Sequence, residues 1–204
     1  MENPESEIID YLSEPKNLRT ALEIGSRFDT IRKELYDRFW NGIEKRLLNK
    51  KPPLNLDSCK FTKYIDDPNW KTKFEWANLC MDVHPSTQKI FVRYSIAYST
   101  QTPCDICFGI VWSEWQPLKS LVWKKPSVSA LINYLSKKHY GQEYLEMWLG
   151  LEQLDEYDNE FDLLEKSVTD FDLIAENICN KFWPFVENTY ELVKNANLEL
   201  KRMR

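Results

Sequence analysis

The sequence predicts an α+β fold: an antiparallel β-meander of about four to five strands covered by long amphipathic helices at its N- and C-terminal ends. Three observations carry this. Apolar residues recur at steps of three and four near both ends of the chain, the spacing of one helix face. Between those regions, segments rich in aromatic and β-branched residues alternate with turn-forming residues. The connections between the segments are too short for crossover helices, so neighbouring strands must run antiparallel, and something else must cover at least one face of the sheet.

The chain is read as one domain, 1–204, opening with a flexible segment at 1–16. From about Asn17 to Asn49, Leu18, Leu22, Gly25, Phe28, Ile31, Leu35, Phe39, Ile43 and Leu47 form a single apolar stripe. The remaining positions, including Arg19, Glu23, Arg27, Arg32, Lys33, Glu34, Asp37 and Arg38, make a mixed-charge side. Pro52 and Pro53 end the helix, because proline cannot continue the hydrogen-bond ladder and biases its predecessor away from helix.

Between Phe61 and Trp123 the segments FTKYI, WKTKFEWANLCMDV, KIFVRYSIAY and CFGIVWSEW read as strands. They are separated by Asp66-Asp67-Pro68-Asn69, His84-Pro85-Ser86-Thr87 and Thr100-Gln101-Thr102-Pro103, all turn chemistry. Pro126-Ser127 starts a short helix on Val128, Leu131, Ile132 and Leu135 that ends near Lys137-Lys138-His139. EYLEMWLGL reads as a further strand. The acid-rich stretch that follows, 152–170 and on to Asp172, reads as a loop with a helical turn around Leu163-Leu164. Thr169-Asp170-Phe171-Asp172 fits a capping box before a last helix marked by Phe171, Ile174, Ile178, Phe182, Phe185, Thr189, Leu192, Ala196 and Leu200. Pro184 is expected to kink that helix.

Composition narrows the function. The chain carries 8 Trp, 10 Tyr and 10 Phe but only 2 His and 5 Gly. That balance suits packing and binding more than catalysis, which shows itself through titratable residues at diagnostic spacings. The 32 acidic residues outnumber 27 basic ones for a net charge of −5, so the surface as a whole does not attract phosphate backbones. Nucleic acid is therefore not an expected partner of the isolated chain. An odd number of cysteines, 5, and an acidic start without a signal peptide place it in a reducing cytoplasm. No apolar run reaches the roughly 18 residues of a membrane span.

Cys104-Asp105-Ile106-Cys107 lacks the second ligand pair that a closed zinc site needs, so these are read as packed cysteines and no cofactor is expected. His84 and His139 stand apart, without the spacing of a nucleophile–base–orienter triad. The acidic stretch lacks the glycine and ligand order of a calcium loop. Its residues Asp155, Glu156, Asp158, Glu160 and Asp162 form a candidate acidic surface, either a solvated run or an imitation of a phosphate backbone.

YLSEPKNLRTALEI followed by IRKELYDRFW, together with YLEMWLGLE and KFWPFVENTYELV, resembles the region that lies after the catalytic domain in a bacterial group of the PD-(D/E)xK nuclease superfamily. The resemblance spans Tyr11 to Val193 and implies an accessory α+β domain joined to a nuclease core. Nuclease chemistry there needs an acid and then an acid-x-Lys pair on a strand, so that carboxylates hold Mg²⁺ while the lysine positions water. Here acid-x-Lys occurs at Glu14-Pro15-Lys16, a proline-marked helix entry, and at Glu199-Leu200-Lys201, in the last helix; neither sits on a strand, so neither carries over. The nearest degenerate arrangement for a metal is Asp82 with Glu114.

Together these readings describe a non-enzymatic interaction module that binds a protein partner or forms a homo-oligomer. The resemblance sets it in bacterial or phage defence or anti-defence. The alternatives are a degenerate Mg²⁺-dependent nuclease at Asp82 and Glu114, and an acidic DNA-mimic inhibitor. Arg27, Arg32, Tyr36, Arg38 and Trp40 are the candidate partner-binding residues, because arginine beside aromatics is the composition of recognition hot spots. The competing reading of the same residues is a solvated helix face with Trp40 turned into the core.

Overall fold

Pro15 divides the N-terminal helical region into two elements. In the computed structural model, α1 spans Pro4–Ser13 and α2 spans Pro15–Asn49. A proline at the first helical position lacks the N–H that would have bonded the Tyr11 carbonyl. The Asn17 side-chain amide donates to that carbonyl instead, at 2.9 Å, while the Glu14 carbonyl accepts the N–H groups of Asn17 and Leu18 at 2.8 and 2.9 Å. The segment expected to be flexible, 1–16, thus contains a helix, closed off by a side-chain bond that periodicity does not reveal.

The structure describes residues 4–52, 60–64, 76–83, 90–99, 104–113, 122–141 and 148–202. It divides into two compact units, Met1–Arg38 and Phe39–Arg204. The first holds α1 and the N-terminal part of α2.

The second unit is built on a five-stranded sheet in the order β1-β2-β3-β4-β5, antiparallel throughout. Its strands are β1 (Lys60–Tyr64), β2 (Trp76–Asp82), β3 (Val92–Ser99), β4 (Cys104–Trp112) and β5 (Trp148–Tyr157). Helix α3 (Pro126–Lys137) lies between β4 and β5 in sequence. Helices α4 (Glu160–Thr169) and α5 (Phe171–Lys201) follow β5. The predicted α+β class, antiparallel sheet and long terminal helices are all present.

Tyr94 and Ile96 of β3 share a face with Phe108 and Ile110 of β4, through the register Tyr94↔Ile110 and Ile96↔Phe108. Helix α5 packs there. Phe182 and Phe185 meet the rings of Tyr94 and Phe108 edge to face at 5.1–6.2 Å between centroids, the arrangement that ring quadrupoles favour. Two polar anchors fix the helix on the sheet. Asn197 accepts from the Val92 N–H at 2.8 Å and donates back to the Val92 carbonyl at 2.9 Å, and Thr189 Oγ1 lies 3.0 Å from the Tyr94 hydroxyl. Glu199 accepts the Ser127 N–H at 2.7 Å, satisfying a donor at the start of α3 where Lys125 offers no side-chain cap.

The other face is also buried. Ala97, Cys107, Val111 and Trp148 cluster there, and Cys80 Sγ lies 3.6 Å from Ser95 Oγ. A Cβ at Gly109 would collide with the Gly150 carbonyl of β5, so glycine is what lets β4 and β5 approach. The part of α2 within this unit, from Phe39 onward, meets the start of α5 through the Phe39–Phe171 edge contact and the ion pairs Arg46–Asp172 and Lys50–Glu176.

Two expectations need correction here. The acidic stretch 152–170 is not a loop: it covers the second half of β5 and all of α4. Composition misleads because β5 is an edge strand, a place where charged residues are tolerated and discourage edge-to-edge pairing, while Trp148, Leu149, Leu154 and Tyr157 are buried. The capping box at Thr169 is also not formed. Asp170 is the N-cap but makes no side-chain cap bond, and the Thr169 hydroxyl turns back to the Glu165 carbonyl, 3.2 Å away. Helix α5 runs through Pro184 without ending there.

Candidate interaction surface

The predicted stripe on α2 divides into two kinds of position. Phe39, Ile43 and Leu47 are buried, whereas Leu18, Leu22, Phe28 and Ile31 are exposed, with Leu35 half-buried between them. Ile24 of α2 and Ile8, Ile9, Tyr11 and Leu12 of α1 are exposed as well, so the first unit presents nine large apolar side chains at 38–65% exposure. Single exposed hydrophobics are ordinary, but a contiguous apolar patch beyond a few hundred Å² marks a contact site. Pro15, Leu18, Arg19, Leu22, Glu23 and Ser26 line a concavity of about 520 Å³ on this unit. The i,i+4 pair Arg19–Glu23, at 3.0 Å, sits beside the apolar residues as a polar edge.

The sequence contained a signal for this exposure. A helix of 35 residues is about 52 Å long, whereas strands of this length extend about 30 Å and five of them span about 24 Å. A stripe that runs the whole helix is longer than the face of such a sheet. Ile8, Ile9, Tyr11 and Leu12 were missed because 1–16 was read as lacking structure.

The predicted partner-binding set is not one surface. Arg27 and Arg38 are exposed, Arg38 lying 3.6 Å from Glu34, and Arg32 is half-buried. Tyr36 and Trp40 are both only 1% exposed and belong to the interior. They fall on the stripe, not on the charged side, because their aromatic bodies follow the 3.6-residue period.

Asp82, at the end of β2, has its Oδ1 buried without a hydrogen-bond partner among the described residues. Burial pushes its carboxyl above the ordinary aspartate value, and the nearby Arg93 guanidinium opposes that shift. Its electrostatic neighbour is thus already a cation. Glu114 lies outside the described residues, and among those described no cluster of three or more His, Cys, Asp or Glu is placed to hold a metal. Both acid-x-Lys sequences are helical or at a helix junction. Glu14 pairs with Lys16 at 2.9 Å, and Glu199 is committed to the Ser127 N–H. Cys107 on β4 is buried, which pushes its thiol up to about 12 and keeps it protonated at neutral pH.

Of the acidic candidates, Asp155 and Glu156 are β5 residues opposite Ile106 and Asp105, and Glu160 opens α4. Asp162 Oδ2 lies 3.3 Å from the Asp158 N–H and 3.1 Å from Lys166 Nζ, while Asn159 Oδ1 accepts the Asp162 N–H at 3.1 Å. This carboxylate stabilises the β5–α4 turn. A second concavity, about 570 Å³, is lined by Tyr157, Lys166, Asp170, Leu173, Ile174, Glu176, Asn177 and Asn180. Lys166 lies 5.3 Å over the Tyr157 ring and pairs with Asp162, and Glu176 pairs with Lys50, so these charges are matched within the fold.

No protein-family model, curated protein or solved structure matches this chain. Among the described residues no helix is long and apolar enough to cross a membrane.

Proposed function

We propose that this chain is a non-enzymatic interaction module whose contact surface is the apolar side of α1 and the first part of α2. The exposure of nine large hydrophobic side chains on residues 8–31 carries this reading. Such a surface gains free energy at about 25 cal/mol per Å² when a partner covers it, and the flanking Arg27 and Arg38 supply the polar rim that interfaces use. The resemblance to a nuclease-associated accessory region supports a setting in bacterial or phage defence or anti-defence, with the nuclease core supplied elsewhere. The surroundings of Asp82 give a degenerate nuclease little support, because a guanidinium accompanies the carboxylate. The carboxylate of Asp162 has a structural use within its own turn, which weakens the DNA-mimic alternative.

Affinity capture from the host with the full chain tests the reading. Leu22→Glu with Phe28→Glu should leave the circular dichroism unchanged and weaken capture more than tenfold, about 1.4 kcal/mol. Reversal of Arg27 and Arg38 to Glu should weaken it less. Undiminished capture by the folded double variant would move the contact surface off this face. Cleavage of supercoiled plasmid with Mg²⁺, lost in Glu114→Ala, would replace the module reading with the nuclease one.

A further inference from the structure

We infer that the outer side of α3, together with the C-terminal end of α5, binds the phosphate backbone of duplex nucleic acid without regard to sequence. The inference concerns the second unit alone and is independent of the apolar side chains on α1 and α2.

The net charge of −5 conceals a local reversal. Residues 122–141 hold Lys124, Lys125, Lys137, Lys138 and His139 and no aspartate or glutamate. Lysines stand at both ends of α3, Lys125 as its N-cap and Lys138 as its C-cap. The end of α5 adds Lys201 and Arg202. One bond brings two of these groups together, because the Ser127 N–H donates to Glu199 at 2.7 Å. Lys125 and Lys124 lie two and three residues before Ser127, and Lys201 and Arg202 lie two and three residues after Glu199. Near the other end of α3, the Tyr140 ring meets Phe185 at 4.9 Å, so the helix lies antiparallel along α5. Lys125 is half-buried and the other five cations are exposed. Among the described residues none of the six is in an ion pair. In α5 from Phe185 onward, Glu199 is committed to Ser127 and Glu191 pairs with Lys194 at 3.2 Å, which leaves Glu187 as the one unmatched acid.

The surface between the basic ends suits a phosphate backbone. Val128, Leu131 and Leu135 are buried, whereas Ala130, Asn133 and Lys137, at steps of three and four, are exposed. Ser136 is exposed beside them and Ser129 is half-buried. Small side chains let a strand come close, and hydroxyl and amide groups donate to phosphate oxygens. From Lys125 to Lys137 the helix rises about 18 Å, the length of about five base pairs. Lysine acts on phosphate as a point charge, so the contact reads charge and not base edges. The expectation against nucleic acid rested on total charge, which does not say where the bases lie.

The same helix argues against the other extended phosphate surface, an anionic membrane. A helix lying in that interface buries large apolar side chains, and α3 exposes none. Single strands are held by stacking on accessible aromatic rings, whereas Trp123 and Tyr134 are half-buried.

Fluorescence anisotropy of a labelled duplex of about 20 base pairs, titrated with the full chain between about 50 and 200 mM salt, tests the inference. Binding should saturate, and two duplexes of unrelated sequence should agree within about threefold. The logarithmic salt slope should be about −4 to −5, as four to six neutralised phosphates require. Lys137→Glu with Lys138→Glu, and separately Lys124→Glu with Lys201→Glu, should each weaken binding more than tenfold with unchanged circular dichroism. Arg27→Glu with Arg38→Glu makes the same change in net charge elsewhere and should cost less than about twofold. Absence of saturable binding at the lowest salt, an equal loss in the Arg27 and Arg38 variant, or tighter binding of a single strand of the same length would each overturn the inference. Sedimentation of the chain with phosphatidylserine vesicles, without duplex binding, would assign the face to a membrane and overturn it as well.

Discussion

Asp82 shows how a single strand residue can point toward metal chemistry in sequence and toward something else in space. Its carboxyl is raised by burial, with Arg93 only partly offsetting the loss of water. A group whose value is raised in the fold binds its proton more tightly there than in the unfolded chain. The stability it contributes is therefore complete below the unfolded aspartate value and is lost as pH rises through the folded one. Asp82→Asn should melt close to the parent at pH 3.5 and increasingly above it as pH rises toward 7. A melting difference that is constant with pH would show that the Arg93 pairing cancels the effect of burial, and one that reverses sign would show that it outweighs it. The buried thiol of Cys107 follows the same physics, since desolvation disfavours its charged form. Tyr36 and Trp40 carry the residue-scale lesson about prediction. An aromatic next to an arginine reads as a hot spot only if it faces outward, and composition does not say which way it faces.

At the scale of elements, helix ends are settled by local chemistry. His139 follows α3 with φ of 62°, its N–H donating to the Ser136 carbonyl at 3.0 Å while the Tyr140 N–H donates to the Leu135 carbonyl at 3.1 Å. These are the two bonds of a Schellman ending, with a histidine where glycine is usual. A side chain in the left-handed region costs about 1–2 kcal/mol. His139→Gly should recover about 1 kcal/mol in urea unfolding with an unchanged denaturant slope, and His139→Ala should not. Much of the element structure was legible in the sequence for comparable reasons. Pro52 and Pro126 bracket helices at the positions where a missing N–H is terminal or tolerated, and the 3.6-residue stripes, read to Leu47 and Leu200, reach nearly to the observed helix ends at Asn49 and Lys201. The central strands were legible because turn residues flank aromatic and β-branched runs. Less legible was β5, whose acids reflect its place at the sheet edge, a property of topology. The exposure of Leu18, Leu22 and Ile31 was not legible from period alone, because a hydrophobic stripe has the same spacing whether its cover is the same chain or another.

At the scale of the whole molecule, the second unit depends on its last helix. Helix α5 supplies Phe182 and Phe185 to the ring cluster on β3 and β4, and it satisfies Val92 through Asn197 and Ser127 through Glu199. It also meets Arg46 and Lys50 of α2 through Asp172 and Glu176. Large buried aromatics cost about 3–5 kcal/mol each when truncated to alanine, and a domain of this kind holds about 5–15 kcal/mol in total. Loss of Phe182 and Phe185 together therefore consumes most of that margin before the polar anchors are counted. Deleting Phe171 to Arg204 should abolish the cooperative thermal transition and the near-ultraviolet dichroism of the buried tryptophans. Phe185→Ala in the full chain should retain a cooperative transition at a lower melting temperature. A truncated chain that melts as the parent does would show that the sheet is stable without α5, and that the ring cluster around Tyr94 and Phe108 is not the centre of the fold.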